Sequence, residues 1–331
     1  MTKVAILDDY QRIAERITDW SAIRKLAEIT VFDRHLGGGG DAVAAALEDF
    51  EIVSAMRERT AFPRALFEQL PKLKLLVITG PYAHNLDMAA ANDHGVIVAA
   101  TEGNLGVDTY STPELTWALI MGAIRNLGSE DRALHAGLWQ HTMGRVLRGR
   151  TLGIVGLGII GKIVAGYAAA FGMKVIAWSP NLTDERAAAG GAIRVDKRTL
   201  FAQSDVISVH MKPAPSTFGL IGREEFALMK SDAIVVNTSR GVILDEAALV
   251  AALQTGRIGG AALDVYTQEP LPVDHPLRKL DNVLLTPHIG YVTEEHYRIF
   301  YGQTVENILA YLQGHPIRTI NDTGILARRS K

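Results

Sequence analysis

There is no cysteine among the 331 residues. That excludes disulfides, thiolate metal sites and a cysteine nucleophile, and it suits a reducing compartment. An excess of one charge is missing too: 34 Lys and Arg stand against 36 Asp and Glu, leaving −2, so no overall field favours nucleic acid or an anionic membrane. Long apolar runs are also lacking. The run after Met1-Thr2-Lys3 covers only Val4 to Leu7 and is closed by Asp8-Asp9, whereas a secretory signal needs a longer apolar core and a membrane span about 20 residues. A cytoplasmic chain is expected. What is present is globular composition, 48% hydrophobic and 21% charged, over a length that allows two domains, each with its own core.

Short apolar runs alternate with stretches of helical periodicity. Val4–Leu7, Glu28–Phe32, Glu51–Ser54, Leu73–Ile78 and Val96–Val98 read as strands, with helical spacing in Asp41–Phe50 and Pro63–Leu70 between them. A second series follows at Thr151–Val155, Lys174–Trp178, Asp205–Ser208, Ala233–Asn237, Gly260–Val265 and Val283–Leu285. Strands alternating with helices predict an α/β fold with parallel sheets and right-handed crossovers. Ser111–Leu127 reads as one long helix capped by Ser111 or Thr112, with Pro113 in its first turn; a second long helix spans Val292–Leu312. The run Gly37–Gly40 reads as a flexible surface connection.

The most specific local pattern is Gly156-Leu-Gly158-Ile-Ile160-Gly161. It follows an apolar strand and opens an Ala-rich helix, which is the context a dinucleotide-binding turn requires. Gly156 permits the tight turn, Gly158 lets backbone approach a pyrophosphate, and Gly161 allows helix to pack on strand. The next strand should end in a carboxylate if the ribose hydroxyls of NAD are held in the usual way. It ends instead in Ser179-Pro180-Asn181. The cofactor is therefore NAD or NADP, unresolved, with NAD slightly favoured.

Polar residues gather just after three later strands, in Asn237-Thr-Ser-Arg240-Gly241, Asp264-Val-Tyr-Thr-Gln-Glu269-Pro270 and Thr286-Pro-His288-Ile-Gly290. Ligands of open α/β sheets lie at the strands' carboxyl ends. Reducing a keto acid requires a hydride, a proton for the nascent alkoxide and a cation for the carboxylate. Histidine supplies a proton in the right range, a neighbouring carboxylate keeps it oriented, and arginine matches a carboxylate bidentately. His288, Glu269 and Arg240 fit these three roles. The histidines lack the spacing of a zinc helix and no calcium loop is present, so no metal is expected.

Together these motifs resemble the D-isomer-specific 2-hydroxyacid dehydrogenase family, in the manner of its glyoxylate/hydroxypyruvate reductase or phosphoglycerate dehydrogenase members. The resemblance implies hydride transfer between NAD(P)H and a 2-keto or D-2-hydroxy acid, with Arg240 on substrate and His288–Glu269 as the acid/base pair. It gives Asp264 a contact with the nicotinamide amide, places Thr238 and Ile160 along the cofactor groove, and puts Ser179 and Gly290 beside it. It also implies two Rossmann-like or flavodoxin-like domains: a discontinuous substrate domain, residues 1–104 plus 295–331, with a cofactor domain, 105–294, inserted. Family members are usually homodimers joined through the cofactor domain, a role the Ser111–Leu127 helix suits.

One loop departs from the family. A Gly-Val-Gly-like stretch whose N–H groups bind the substrate carboxylate is replaced here by Gly80-Pro81-Tyr82-Ala83-His84. Pro81 has no N–H, so Arg57 or Tyr82 is expected to stand in for the lost donor, with Gly80, Tyr82, Arg57 and Arg240 as the substrate-binding set. A strand-end histidine, His210, is read as a local hydrogen-bonding residue. Two other functions compete: an NAD(H)-sensing, corepressor-like binding protein, and a superfamily member acting on another hydride donor such as formate. The short tail ending Ala327-Arg-Arg-Ser-Lys331 offers little for partner recruitment or a regulatory domain, and Glu269 disfavours the formate reading.

Overall fold

The computed structural model describes residues 1–37, 40–102 and 107–321. Gly38 and Gly39 of the glycine run, the expected boundary at 104, and the tail Ala327–Lys331 lie outside the described residues. The chain divides into two compact units, one from Met1–Asp108 and Thr293–Lys331, the other Thr109–Val292.

The first unit is built on five parallel strands, β1 (Thr2–Ile6), β2 (Ala27–Val31), β3 (Ile52–Ala55), β4 (Leu75–Ile78) and β5 (Ile97–Ala100), in the order β2-β1-β3-β4-β5. That is the flavodoxin-like order, whose switch point lies between β1 and β3. Ile52 to Ala55 and Leu75 to Ile78 are buried at every position, as expected of parallel strands covered on both faces. Alternate residues, Val53, Leu76, Ile78 and Val98, share one core with Leu66 and Phe67. The 19-residue helix Glu294–Leu312 packs on β4 and starts at Thr293, whose hydroxyl accepts the N–H of His296.

The second unit has seven parallel strands: β6 (Thr151–Val155), β7 (Lys174–Trp178), β8 (Ile193–Arg194), β9 (Val206–Val209), β10 (Ile234–Asn237), β11 (Gly260–Leu263) and β12 (Val283–Leu285). Their order, β12-β11-β10-β9-β6-β7-β8, is the dinucleotide-binding arrangement, with its switch point between β6 and β9. The pleat sorts the side chains: Ile207, Val235 and Leu263 enter one core, and Val206, Ile234, Val236 and Ala262 the other. Burying each Val or Ile in this way contributes about 1.5–3 kcal/mol.

Two sequence expectations change. Ser111–Leu127 is not one helix: it ends at Ile124, and a second helix covers Leu127–His135. Asn126 turns the chain through the left-handed region, φ 55°, which asparagine tolerates better than most residues. Neither Ser111 nor Thr112 caps the first helix; its N-cap is Tyr110, without a side-chain bond, and the Thr112 hydroxyl donates to the Gly290 carbonyl. The short edge strand β8 was not foreseen, since two residues show no alternation.

Candidate active site

The three polar segments leave the carboxyl ends of β10, β11 and β12, which lie side by side in the second unit's sheet. After β10, Asn237 shapes the turn: its side-chain N–H donates to the Arg240 carbonyl at 2.9 Å and its Oδ1 accepts the Ser239 N–H at 3.0 Å. This is an Asx-type turn. Arg240 Nη1 donates to the Ser239 carbonyl at 2.7 Å. Behind it, a Cβ on Gly241 would stand 1.9 Å from the Tyr266 carbonyl carbon, so the Arg240 segment lies directly against the one carrying Glu269. Only glycine fits there.

After β11, Asp264 is buried and accepts from the Thr286 hydroxyl at 2.6 Å, the Ile289 N–H at 2.8 Å and the Gly290 N–H at 2.9 Å. Burial raises its pKa against the lowering effect of these donors. All three donors flank His288, so Asp264 clamps the loop that presents the imidazole. A carboxylate has about four lone-pair sites, so Asp264 retains acceptor capacity beyond them.

His288 Nδ1 lies 2.5 Å from Glu269 Oε2, and Glu269 Oε1 accepts the Tyr266 N–H at 2.9 Å. His288 sits at φ +53°, a left-handed conformation that a side-chain-bearing residue holds only when its surroundings enforce it. With Nδ1 engaged, Nε2 is the nitrogen left to serve a substrate. The Tyr291 ring meets the imidazole edge-on at 5.6 Å between centroids.

The glycine turn also has the geometry its mechanism needs. Gly156 takes φ +98°, and a Cβ there would stand 2.7 Å from the His210 carbonyl oxygen. A Cβ on Gly161 would be 2.5 Å from the Gly156 oxygen, whereas Gly158 faces open space. The helix Ile159–Ala170 begins at Gly158 without a side-chain cap, leaving its first N–H groups for an anion. A pyrophosphate fits this cradle. Ile160 is half-buried against the core beneath it, Thr238 is buried with its hydroxyl 2.7 Å from that of Thr116, and Ser179 follows β7.

In the first unit, Arg57 follows β3 at φ +53°, its N–H donating to Thr79 Oγ1 at 2.8 Å. Its guanidinium lies over Gly80, where a Cβ would come within 1.8 Å of Nη1. The Gly80 N–H is spent on Thr101 Oγ1 at 2.7 Å, which corrects the expectation that Gly80 offers a donor to substrate. Glu58 ties the two loops together, accepting the His84 N–H at 3.1 Å and, through its carbonyl, the Asn85 side-chain N–H at 2.8 Å. The Tyr82 ring is half exposed and packs edge-on against His84.

Residues 117–290 match the family described as D-isomer specific 2-hydroxyacid dehydrogenase, NAD binding domain. The chain belongs to that family. It is 40% identical over 266 residues to D-3-phosphoglycerate dehydrogenase of Archaeoglobus fulgidus, covering 80% of this chain and 50% of that protein. With hydroxypyruvate reductase of Blautia hydrogenotrophica it shares 30% identity over 96% of this chain and 99% of the other. Among solved structures, a phosphoglycerate oxidoreductase of Vibrio cholerae superposes with TM-score 0.87 and 35% identity, covering 95% and 99% of the two chains. The chain spans about half the length of the phosphoglycerate dehydrogenases it matches.

Three supporting residues of the site were not identified from sequence: Asn237, Tyr266 and Thr286. The first had a signal, an asparagine before a turn that carries an arginine. The other two act through contacts between separate strands, for which spacing along the chain holds no sign.

Proposed function

We propose that the protein is an NAD(P)-dependent oxidoreductase interconverting a 2-keto acid and the matching D-2-hydroxy acid. The observation that carries this reading is the His288–Glu269 pair, held at the carboxyl edge of a dinucleotide-binding sheet beside the Arg240 turn. Bound nicotinamide would supply or accept the hydride at the substrate's C2. Arg240 grips the substrate carboxylate and polarises the carbonyl, since its planar fork matches a carboxylate. As C2 is reduced, the electron pair moves to the carbonyl oxygen and His288 Nε2 delivers a proton to it; in the reverse direction the same nitrogen removes that proton. Glu269 fixes the ring's orientation through Nδ1. Asp264 holds the His288 loop and, with its spare lone pair, accepts from the nicotinamide amide; Ile160, Thr238, Ser179 and Gly290 border the cofactor. Arg57 and the Tyr82 N–H take over the carboxylate contacts that Pro81 and Gly80 do not offer.

The exposed apolar residues Leu127, Leu134, Leu138, Trp139, Met143 and Val146 form the surface through which we infer a homodimer. The cysteine-free composition suits a cytoplasmic location, and no helix among the described residues is long and apolar enough to cross a membrane. The test is to follow NADH and NADPH absorbance with glyoxylate, hydroxypyruvate, pyruvate, phenylpyruvate and 3-phosphohydroxypyruvate. Turnover of at least one is expected. Tight cofactor binding with no turnover of any would replace this reading with a sensor.

A further inference from the structure

In a dinucleotide-binding sheet the adenosine ribose lies at the carboxyl end of the second strand, about 20 residues beyond the glycine turn. A carboxylate at that point accepts from the ribose hydroxyls of NAD and repels the 2′-phosphate of NADP; an arginine does the reverse. Here β7 stops at Trp178 and continues as Ser179-Pro180-Asn181, with no carboxylate.

The fold brings a cation back to this point. Arg186 lies in the short helix Asp184–Ala188, and its Nη1 donates to the Asn181 carbonyl at 3.0 Å. The loop is closed on itself by the Leu182 N–H bonding the Ser179 carbonyl at 3.2 Å, and by Thr183 Oγ1 accepting the Arg186 N–H at 3.3 Å. One turn thus runs from Ser179 at the end of β7 through Asn181 to the Arg186 guanidinium. An arginine has five N–H donors, so the single bond to Asn181 leaves most of the fork for an anion. The acids nearby are engaged elsewhere. Asp184 pairs with Arg194 at 3.5 Å, and Glu185 turns onto its own N–H and the Thr183 hydroxyl. Lys197, which lies over the Trp178 ring at the end of β7, is committed to Glu225 and to the Leu220 carbonyl, both at 2.7 Å.

We propose that Ser179, Asn181 and Arg186 form a 2′-phosphate site, so that the protein binds NADPH with an affinity comparable to or tighter than that for NADH. This rests on the dinucleotide-binding reading of Gly156–Gly161 and is independent of which keto acid is reduced. The experiment is direct titration of the full chain with NADPH and NADH, read by tryptophan quenching or calorimetry without substrate, alongside 2′,5′-ADP and 5′-AMP.

The expected result is a Kd for NADPH below, or within about threefold of, that for NADH, with 2′,5′-ADP tighter than 5′-AMP. Arg186→Ala should raise the NADPH-to-NADH ratio of Kd by about tenfold, the usual size of one lost charge-assisted contact, and Ser179→Asp should raise it further. A wild-type NADPH Kd more than about threefold above that of NADH overturns the proposal, as does an unchanged ratio in Arg186→Ala. Failure to bind either dinucleotide removes the glycine-turn reading and the proposal together. Tight, 2′-phosphate-dependent binding without turnover of any keto acid removes only the proposed reaction and leaves the site standing.

Discussion

Glu269 holds His288 at 2.5 Å through one carboxylate oxygen while its other oxygen accepts the Tyr266 N–H at 2.9 Å. The Tyr266 hydroxyl in turn donates to the Thr286 carbonyl at 2.8 Å, on the segment that carries His288. The contacts form a closed circuit in which the imidazole, its carboxylate partner and the backbone supporting both fix one another. Such a circuit points Nε2 in one direction, as a proton donor to a bound carbonyl requires.

Removing the imidazole should therefore damage chemistry and spare cofactor binding. For His288→Ala we expect kcat to fall by roughly 10²–10⁴-fold, the range for losing a positioned acid/base, while the dinucleotide Kd stays within about twofold. Steady-state kinetics and a fluorescence titration on the same preparation check both halves. Wild-type kcat in this variant would remove His288 from the reaction.

Asp264 invites a different measurement. Its two oxygens satisfy three donors around the His288 loop, two of them backbone N–H groups. Asp264→Ala leaves these donors unpaired, each costing about 1–3 kcal/mol if it stays dry. A fall in unfolding free energy of about 2–4 kcal/mol by urea denaturation is expected, together with a lower kcat as the loop loosens. A variant as stable as the parent would show that Asp264 is not a clamp.

Acid sensitivity follows from two histidines whose surroundings disfavour charge. Burial lowers His210 to about 4, and burial aided by the Arg57 charge lowers His296 to about 4. Because the folded value lies below the ordinary histidine value of 6.5, the unfolded chain binds more protons between the two, and stability falls as pH drops through that window. Above about pH 7 both groups are neutral in either state and contribute no slope; below about pH 4 both are charged in either state. The His210 contribution amounts to at most about 3 kcal/mol across the window. Urea midpoints measured from pH 7 to pH 4.5 should decline, and the decline should be shallower in His210→Gln. Equal slopes for parent and variant would refute the assignment.

The α/β class, the places of all strands but β8 along the chain and the three polar segments were legible in the sequence because each rests on a local pattern: alternating apolar runs, a glycine spacing, polar residues just past a strand. Ser111–Leu127 was misread for a physical reason. Leu127, past Arg125-Asn126, falls at helical spacing from Ala123 and Ile124, and the left-handed turn at Asn126 leaves no trace in periodicity. The Gly80 loop shows the opposite limit. Pro81 announced a missing donor, but the loss of the Gly80 N–H to Thr101 depends on β4 and β5 lying side by side, which only the fold reveals.

That loop gives the sharpest test of how substrate is held. With Pro81 lacking an N–H and the Gly80 N–H engaged, the proposed carboxylate contact passes to Arg57, whose guanidinium rests on Gly80. A group that binds ground state and transition state alike raises KM when removed and leaves kcat nearly unchanged. Arg57→Ala should accordingly raise KM for the best keto acid by roughly 10–100-fold, the cost of one charge-assisted contact, with kcat within about threefold. Glu58→Ala acts one step further away: it frees the His84 N–H and loosens the junction between the two loops, so a smaller rise in KM is expected. Pro81→Ala restores an N–H, and combined with Arg57→Ala it should recover part of the lost affinity. An unchanged kcat/KM in Arg57→Ala would return the carboxylate to Arg240 alone.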